Sequence, residues 1–119
     1  MSLKKIKVGI IGSGRMSAFH LEALSTFNDI SIKAIASTKK GKNRRDILCK
    51  KYSVSASYSN YIEMLDREKL DCVYVIVSVD KIFEVSKSVM NRNLNIFIEK
   101  PPGLFKEETL ELLKIANSK

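Results

Sequence analysis

Hydrophobic positions in this chain alternate between short apolar runs and stretches with helical spacing, and each rhythm predicts a different element. Ile6–Ile11 is a nearly continuous apolar run ending at Gly12, as in a strand buried on both faces of a parallel sheet. Met16, Phe19, Ala23, Leu24 and Phe27 then recur at helical spacing, and Asn28-Asp29 closes that helix. Ile30–Ala36 predicts a second strand. Residues 41–52 predict a basic helix with Ile47, Leu48 and Tyr52 as its apolar face, and Ser53–Ser57 a short third strand at an edge. The stretch from Asn60 to Glu63 has capping-box form and opens a helix through about Lys69. Asp71–Val77 gives the plainest strand pattern of all. Asp80 is placed to cap the next helix, whose apolar face is Ile82, Phe83, Val85, Val89 and Met90. Asn93 stands where a helix stops in a left-handed residue. Asn95–Glu99 predicts a fifth strand, Pro101-Pro102-Gly103 breaks the chain, and Thr109–Ala116 belongs to a last helix.

Strand and helix alternating from end to end predict an α/β fold: a doubly wound parallel sheet of Rossmann type, about five strands in the order 3-2-1-4-5. The 119 residues suffice for one domain with its own core. Cys49 and Cys72 lie far apart and only one His is present, so no metal site is expected. Free thiols in a reducing cytoplasm are the simplest account of these cysteines. No apolar run is long enough to cross a bilayer, so no membrane partner is expected. The net charge of +8 brings polyanions into consideration. Much of it is local, however, in Lys39, Lys40, Lys42, Arg44, Arg45, Lys50 and Lys51. These residues fit a solvated helix face. They lack the aromatic interleaving of a single-strand platform, and no nucleic-acid partner is expected.

The chemistry starts at Gly12-Ser13-Gly14-Arg15-Met16, which follows the first strand and opens the first helix. That context is what a dinucleotide fingerprint requires. Gly12 allows the tight turn, Gly14 lets a pyrophosphate approach the backbone, and the helix aims free N–H groups at it. Ser17 takes the third glycine position and is small enough for helix–strand packing. At the end of the second strand a carboxylate would hold the ribose 2′-hydroxyl of NAD. Ser37, Thr38, Lys39 and Lys40 stand there instead, offering hydroxyl donors and ammonium charge to a 2′-phosphate. NADP is therefore the expected cofactor, with NAD as the other choice. Lysines that are only solvated charge are the plainer alternative. Lys100, after the fifth strand in Glu99-Lys100-Pro101, is placed to donate a proton to a substrate oxygen, or is a surface lysine before a turn.

With these pieces in order, the chain resembles the N-terminal domain of the glucose–fructose oxidoreductase/inositol dehydrogenase (Gfo/Idh/MocA) family. The carriers are the segment from Val8 to Gly14 with His20 downstream, the segment from Asp71 to Val77, and the segment from Asn95 to Pro101. The resemblance covers essentially all 119 residues. The resemblance implies NAD(P)-dependent oxidation or reduction of sugars, inositols and related polyols. It implies that Lys100 lies beside the nicotinamide and substrate. It also implies that Val77, Ser78 and Val79 contact the cofactor, and it adds Glu99 to the candidate cofactor residues. His20 matches the family's helix histidine, with packing under the loop as its alternative role. Two departures stand out: Ser78-Val79 replaces a Thr-Pro pair, and Ile82-Phe83 replaces a His. The family's C-terminal substrate domain is absent from these 119 residues, so the chain is expected to have little turnover alone. A non-catalytic dinucleotide-binding sensor or regulatory module is the alternative function. Without a sixth strand, the fifth strand becomes an apolar edge. A homo-oligomer through that edge is expected, or else cover by the last helix or a loop; a monomer with the edge bare would contradict both.

Overall fold

A computed structural model describes residues 4–100 and 102–119, so the opening Met1-Ser2-Leu3 and the expected break at Pro101 lie outside the described residues. Five parallel strands form one sheet: β1 (Ile6–Ile11), β2 (Ile30–Ala36), β3 (Ala56–Tyr58), β4 (Cys72–Val75) and β5 (Asn95–Ile98). Their order is β3-β2-β1-β4-β5, as the alternating pattern predicts. The connecting helices are α1 (Arg15–Leu24), α2 (Lys42–Lys51), α3 (Tyr61–Arg67) and α4 (Val79–Met90); α5 (Lys106–Asn117) ends the chain. A single 3-10 turn at Lys39–Gly41 precedes α2.

Two apolar layers hold the sheet between them. On one face Val8, Ile10 and Ile35 pack with Leu21 and Leu24 of α1 and Leu48 of α2. On the other, Ile11, Val73 and Val75 pack with Met64 and Leu65 of α3 and Val85 and Val89 of α4. Each such fully buried side chain contributes roughly 1.5–3 kcal/mol of transfer free energy. The continuous apolar runs of β1 and β4 therefore follow from cover on both faces.

Helix phase is where the expected pattern and the fold part. α1 buries Ser17, Leu21 and Leu24, while Met16, Phe19 and Phe27 are exposed, Phe19 by 57%. The small Ser17 sits at the contact with the glycine turn, on the same buried face of the helix as Leu21 and Leu24. In α2 Leu48 is buried as expected, but Ile47 is 66% exposed and the buried neighbour is Arg45. β3 begins at Ala56 rather than Ser53, because Ser53 takes φ +56° and ends α2, with Val54 N–H donating to the Cys49 carbonyl at 2.8 Å. Ser78, not Asp80, occupies the cap position of α4, which places Asp80 in the first turn near the positive end of the helix. Asn93 has φ +59° as its position suggested. Asn60 caps α3, its Oδ1 accepting from the N–H groups of Ile62 (2.8 Å) and Glu63 (3.4 Å). The Glu63 carboxylate pairs with Arg67 at 3.2 Å.

β5 is the outermost strand. α5 packs against α4 through the buried Leu112, and among the described residues no further strand pairs with the outer side of β5. Among these residues no helix is long and apolar enough to cross a membrane.

Candidate functional site

The carboxyl ends of β1, β2, β4 and β5 surround a cleft of about 800 Å³, within the size range of small-molecule sites. It opens where the strand order reverses between β1 and β4, the place where open α/β sheets bind ligands.

Gly12 forms the floor of the turn. It has φ +120°, and a Cβ there would lie 1.9 Å from the Ile76 carbonyl oxygen, so only glycine fits. Its N–H donates to the Ala36 carbonyl at 2.7 Å, tying the turn to β2. Gly14 is the cap residue of α1 and has the opposite surroundings: among the described residues, a Cβ there meets nothing within 4 Å. No side chain caps α1 and its first turn holds no acid, so its free N–H groups are left for an incoming anion. Ser13 Oγ donates to the Gly41 carbonyl at 3.1 Å, and a Cβ on Gly41 would come within 2.5 Å of that hydroxyl. This contact fixes the glycine turn against the segment after β2. Ser17 is fully buried below the turn, and its hydroxyl has no hydrogen-bond partner among the described residues.

At the end of β2, Ser37 and Thr38 face the cleft and no carboxylate accompanies them. Behind Ser37 lies the Arg45 guanidinium, 3% exposed. Its Nη1 donates to Ser37 Oγ at 2.7 Å and to the Ser37 carbonyl at 3.3 Å. Nε donates to Ser57 Oγ at 2.7 Å and Nη2 to Ser59 Oγ at 3.2 Å. The neighbouring Asp46 turns away to Lys42 (2.8 Å), and that hydrogen bond holds its carboxyl below the usual range.

On the far side, Val77, Ser78 and Glu99 line the cleft, together with Lys81 and Glu84 of α4. Glu99 Oε2 lies 3.1 Å from His20 Nε2. The imidazole meets Phe97 and Tyr74 edge-on, with centroids 5.0 and 5.7 Å away, and those two rings stack at 4.7 Å. His20 therefore joins α1 to the ends of β4 and β5.

Of the residues singled out in the sequence, Gly12, Ser13, Gly14, Arg15, Met16, Ser37, Thr38, Val77, Ser78 and Glu99 all line this one cleft. Lys39 and Lys100 are exposed and lie outside its lining. Gly41, Arg45, Ser59, Lys81 and Glu84 belong to the site or its support without having been singled out as site residues. Gly41 and Arg45 gave no sequence signal, because their partners are distant in the chain. Cys49 and Cys72 are free, and burial pushes both thiols up, away from reactive thiolate. Among the described residues no group of three metal-ligating side chains occurs.

The arrangement fits a dinucleotide: open space over Gly14 for a pyrophosphate, an unshielded helix N-terminus beside it, and hydroxyls at the end of β2 for a ribose. Comparison with known proteins points the same way. A family model described as an oxidoreductase family with an NAD-binding Rossmann fold matches residues 6–119. A myo-inositol 2-dehydrogenase of Thermotoga maritima is 26% identical over 99 residues, covering 83% of this chain and 29% of the relative. The crystal structure of a myo-inositol 2-dehydrogenase from Lactobacillus plantarum superposes with a TM-score of 0.89 at 28% identity, over 97% of this chain and 34% of that one. The fold is also that of a scyllo-inositol dehydrogenase from Lactobacillus casei with bound NAD(H) and scyllo-inositol (TM-score 0.88, 23% identity, 97% of this chain and 34% of that one). The chain thus spans about a third of the length of these relatives.

Proposed function

The chain belongs to the oxidoreductase family with an NAD-binding Rossmann fold, and we propose that it is the cofactor half of an enzyme moving hydride between NADP(H) and a sugar- or polyol-like substrate. The observation that carries this reading is the open approach to Gly14 at the uncapped N-terminus of α1. When bound, the nicotinamide would supply the hydride donor or acceptor. The chain's own groups do the rest. The backbone N–H groups of α1 hold the pyrophosphate, and Ser37 and Thr38 take the adenosine ribose.

The preference for NADP rests on what stands at the end of β2. A carboxylate there would accept from a 2′-hydroxyl and repel a 2′-phosphate, whereas Ser37 and Thr38 can donate to the phosphate. Calorimetric titration with both cofactors tests this. NADP is expected to bind at least about tenfold more tightly, a difference of about 1.4 kcal/mol. Equal affinities, or tighter NAD, would overturn the preference.

Lys100 follows Glu99, which lines the cleft, and is the proton donor of this reading. The substrate groups would come from further polypeptide of the kind that makes up the rest of the relatives' length. In an enzyme that carries those groups, Lys100→Met is expected to lower kcat by about 100-fold or more with cofactor affinity unchanged. A kcat within threefold of the parent would remove Lys100 from the chemistry. The free thiols suit a reducing cytoplasm. Pairing of two copies along the outer side of β5 is the oligomer proposed here, and sedimentation that stays monomeric at high concentration would exclude it.

A further inference from the structure

A guanidinium that is 97% shielded from water ordinarily sits against a carboxylate, because the desolvation of an unpaired charge costs several kcal/mol. Arg45 is shielded to that degree (3% exposed), yet among the described residues no ion pair includes it. All four of its hydrogen bonds go to neutral oxygens, three of them the hydroxyls of Ser37, Ser57 and Ser59. Asp46, next in sequence, is spent on Lys42 at the exposed side of α2. The charge of Arg45 is thus satisfied in its donors and, among the described residues, left without a counter-ion.

The direction of these bonds matters. Each hydroxyl accepts from Arg45, so its own proton is free to point elsewhere. Ser37 and Ser59 both line the cleft. Ser37 Oγ donates to the Thr38 carbonyl of the next residue at 3.0 Å, a position that an anion can take over. A hydroxyl that accepts from a guanidinium becomes a stronger donor, and in a shielded setting the charge behind it still reaches the anion.

We propose that Arg45 is the specificity-determining positioning residue of the cleft, a buried positive charge that acts through the Ser37 and Ser59 hydroxyls to select a cofactor bearing a phosphate monoester on its adenosine ribose. The proposal rests on the dinucleotide reading of the cleft and adds the source of the discrimination. It shifts that role from the exposed Lys39 and Lys40, which lie outside the cleft lining and are screened by salt, to a buried charge that salt screens much less. Arg45 touches no ligand itself. It holds the two hydroxyls in register from a third element, α2, and gives them their polarity.

Binding of 2′,5′-ADP (adenosine 2′,5′-bisphosphate) and 5′-AMP by the 119-residue chain tests this without any turnover. The two probes differ only in the 2′-phosphate. The parent chain is expected to bind 2′,5′-ADP at least about tenfold more tightly, an advantage that persists when salt is raised. Arg45→Gln keeps hydrogen-bonding capacity but removes the charge. It is expected to bring the two affinities to within about threefold of each other while 5′-AMP binding stays within twofold of the parent. Lys39→Gln with Lys40→Gln is expected to leave the ratio unchanged at high salt. If Arg45 only staples α2 to the sheet, Arg45→Gln will weaken both probes alike or neither, and the proposal falls. Should Arg45→Gln fail to fold, Ser59→Ala gives the same readout: it is expected to lower the ratio by about threefold or more, and an unchanged ratio overturns the proposal. A parent chain that does not distinguish the probes would instead defeat the NADP reading itself, and a parent that does, beside an Arg45→Gln that does so equally, would defeat only the role of Arg45.

Discussion

Gly12→Ala is expected to cost the protein most of its stability, by about 3–6 kcal/mol against the 5–15 kcal/mol typical of a domain. Two independent penalties combine at this position. The backbone holds φ +120°, a conformation that an L side chain rarely adopts, and the added methyl would sit 1.9 Å from the Ile76 carbonyl oxygen. Neither neighbour can give way cheaply. Ile76 N–H donates to the Ile11 carbonyl at 2.9 Å, and Gly12 N–H donates to the Ala36 carbonyl at 2.7 Å, so moving either strand end breaks the ladder of β1 with β4 or β2. At about 4–8 °C per kcal/mol for a domain somewhat smaller than this one, the melting temperature should fall by about 10 °C or more. Thermal unfolding followed by circular dichroism reads it. A Gly12→Ala chain that melts within a few degrees of the parent would mean that the turn is not built as described.

Gly14→Asp should do the reverse, leaving the fold intact and removing the ligand. Among the described residues nothing lies within 4 Å of a Cβ at Gly14, so the side chain enters open cleft rather than core. Gly14 is also the cap of α1, and aspartate is among the best cap residues because its carboxylate accepts from the next N–H groups and faces the positive end of the helix. Stability is expected to hold or rise, by up to about 1 kcal/mol. The same carboxylate takes the N–H groups that a pyrophosphate needs and adds like charge beside it. Cofactor affinity is expected to fall about 100-fold or more, equivalent to about 2.7 kcal/mol. A melting curve and a binding titration on one sample separate the two effects. If Gly14→Asp binds the cofactor as the parent does, the pyrophosphate is not at this turn.

The sheet was legible in the sequence because parallel strands covered on both faces leave an unambiguous trace. Ile6–Ile11 and the run around Cys72–Val75 could be read as little else, and with turn residues between them the strand order followed from the handedness of the crossovers. The glycine turn was legible for the same reason, since its meaning depends on the strand before it and the helix after it. Helix faces were harder. α1 carries apolar residues on two sides, and only tertiary contact decides that Leu21 is buried and Phe19 is not. Ser53 ended α2 in a left-handed conformation that its residue type did not announce. Arg45 could not be seen at all. In the chain it is one cation among seven between residues 39 and 51, and its burial comes from hydroxyls 8, 12 and 14 residues away that β2 and β3 bring together. Gly41 was hidden likewise, since its lack of a side chain matters only because Ser13 approaches from 28 residues away.

We place a dinucleotide in the cleft at the carboxyl ends of β1, β2 and β4, with its pyrophosphate at the N-terminus of α1. Backbone amide shift mapping of the 119-residue chain during titration with NADP tests this placement. Saturable shifts are expected at Gly12–Ser17, at Ser37 and Thr38, and at Val77 and Ser78, with the exposed basic face of α2 unmoved. Shifts confined to that basic face, or none that saturate, would contradict the assignment.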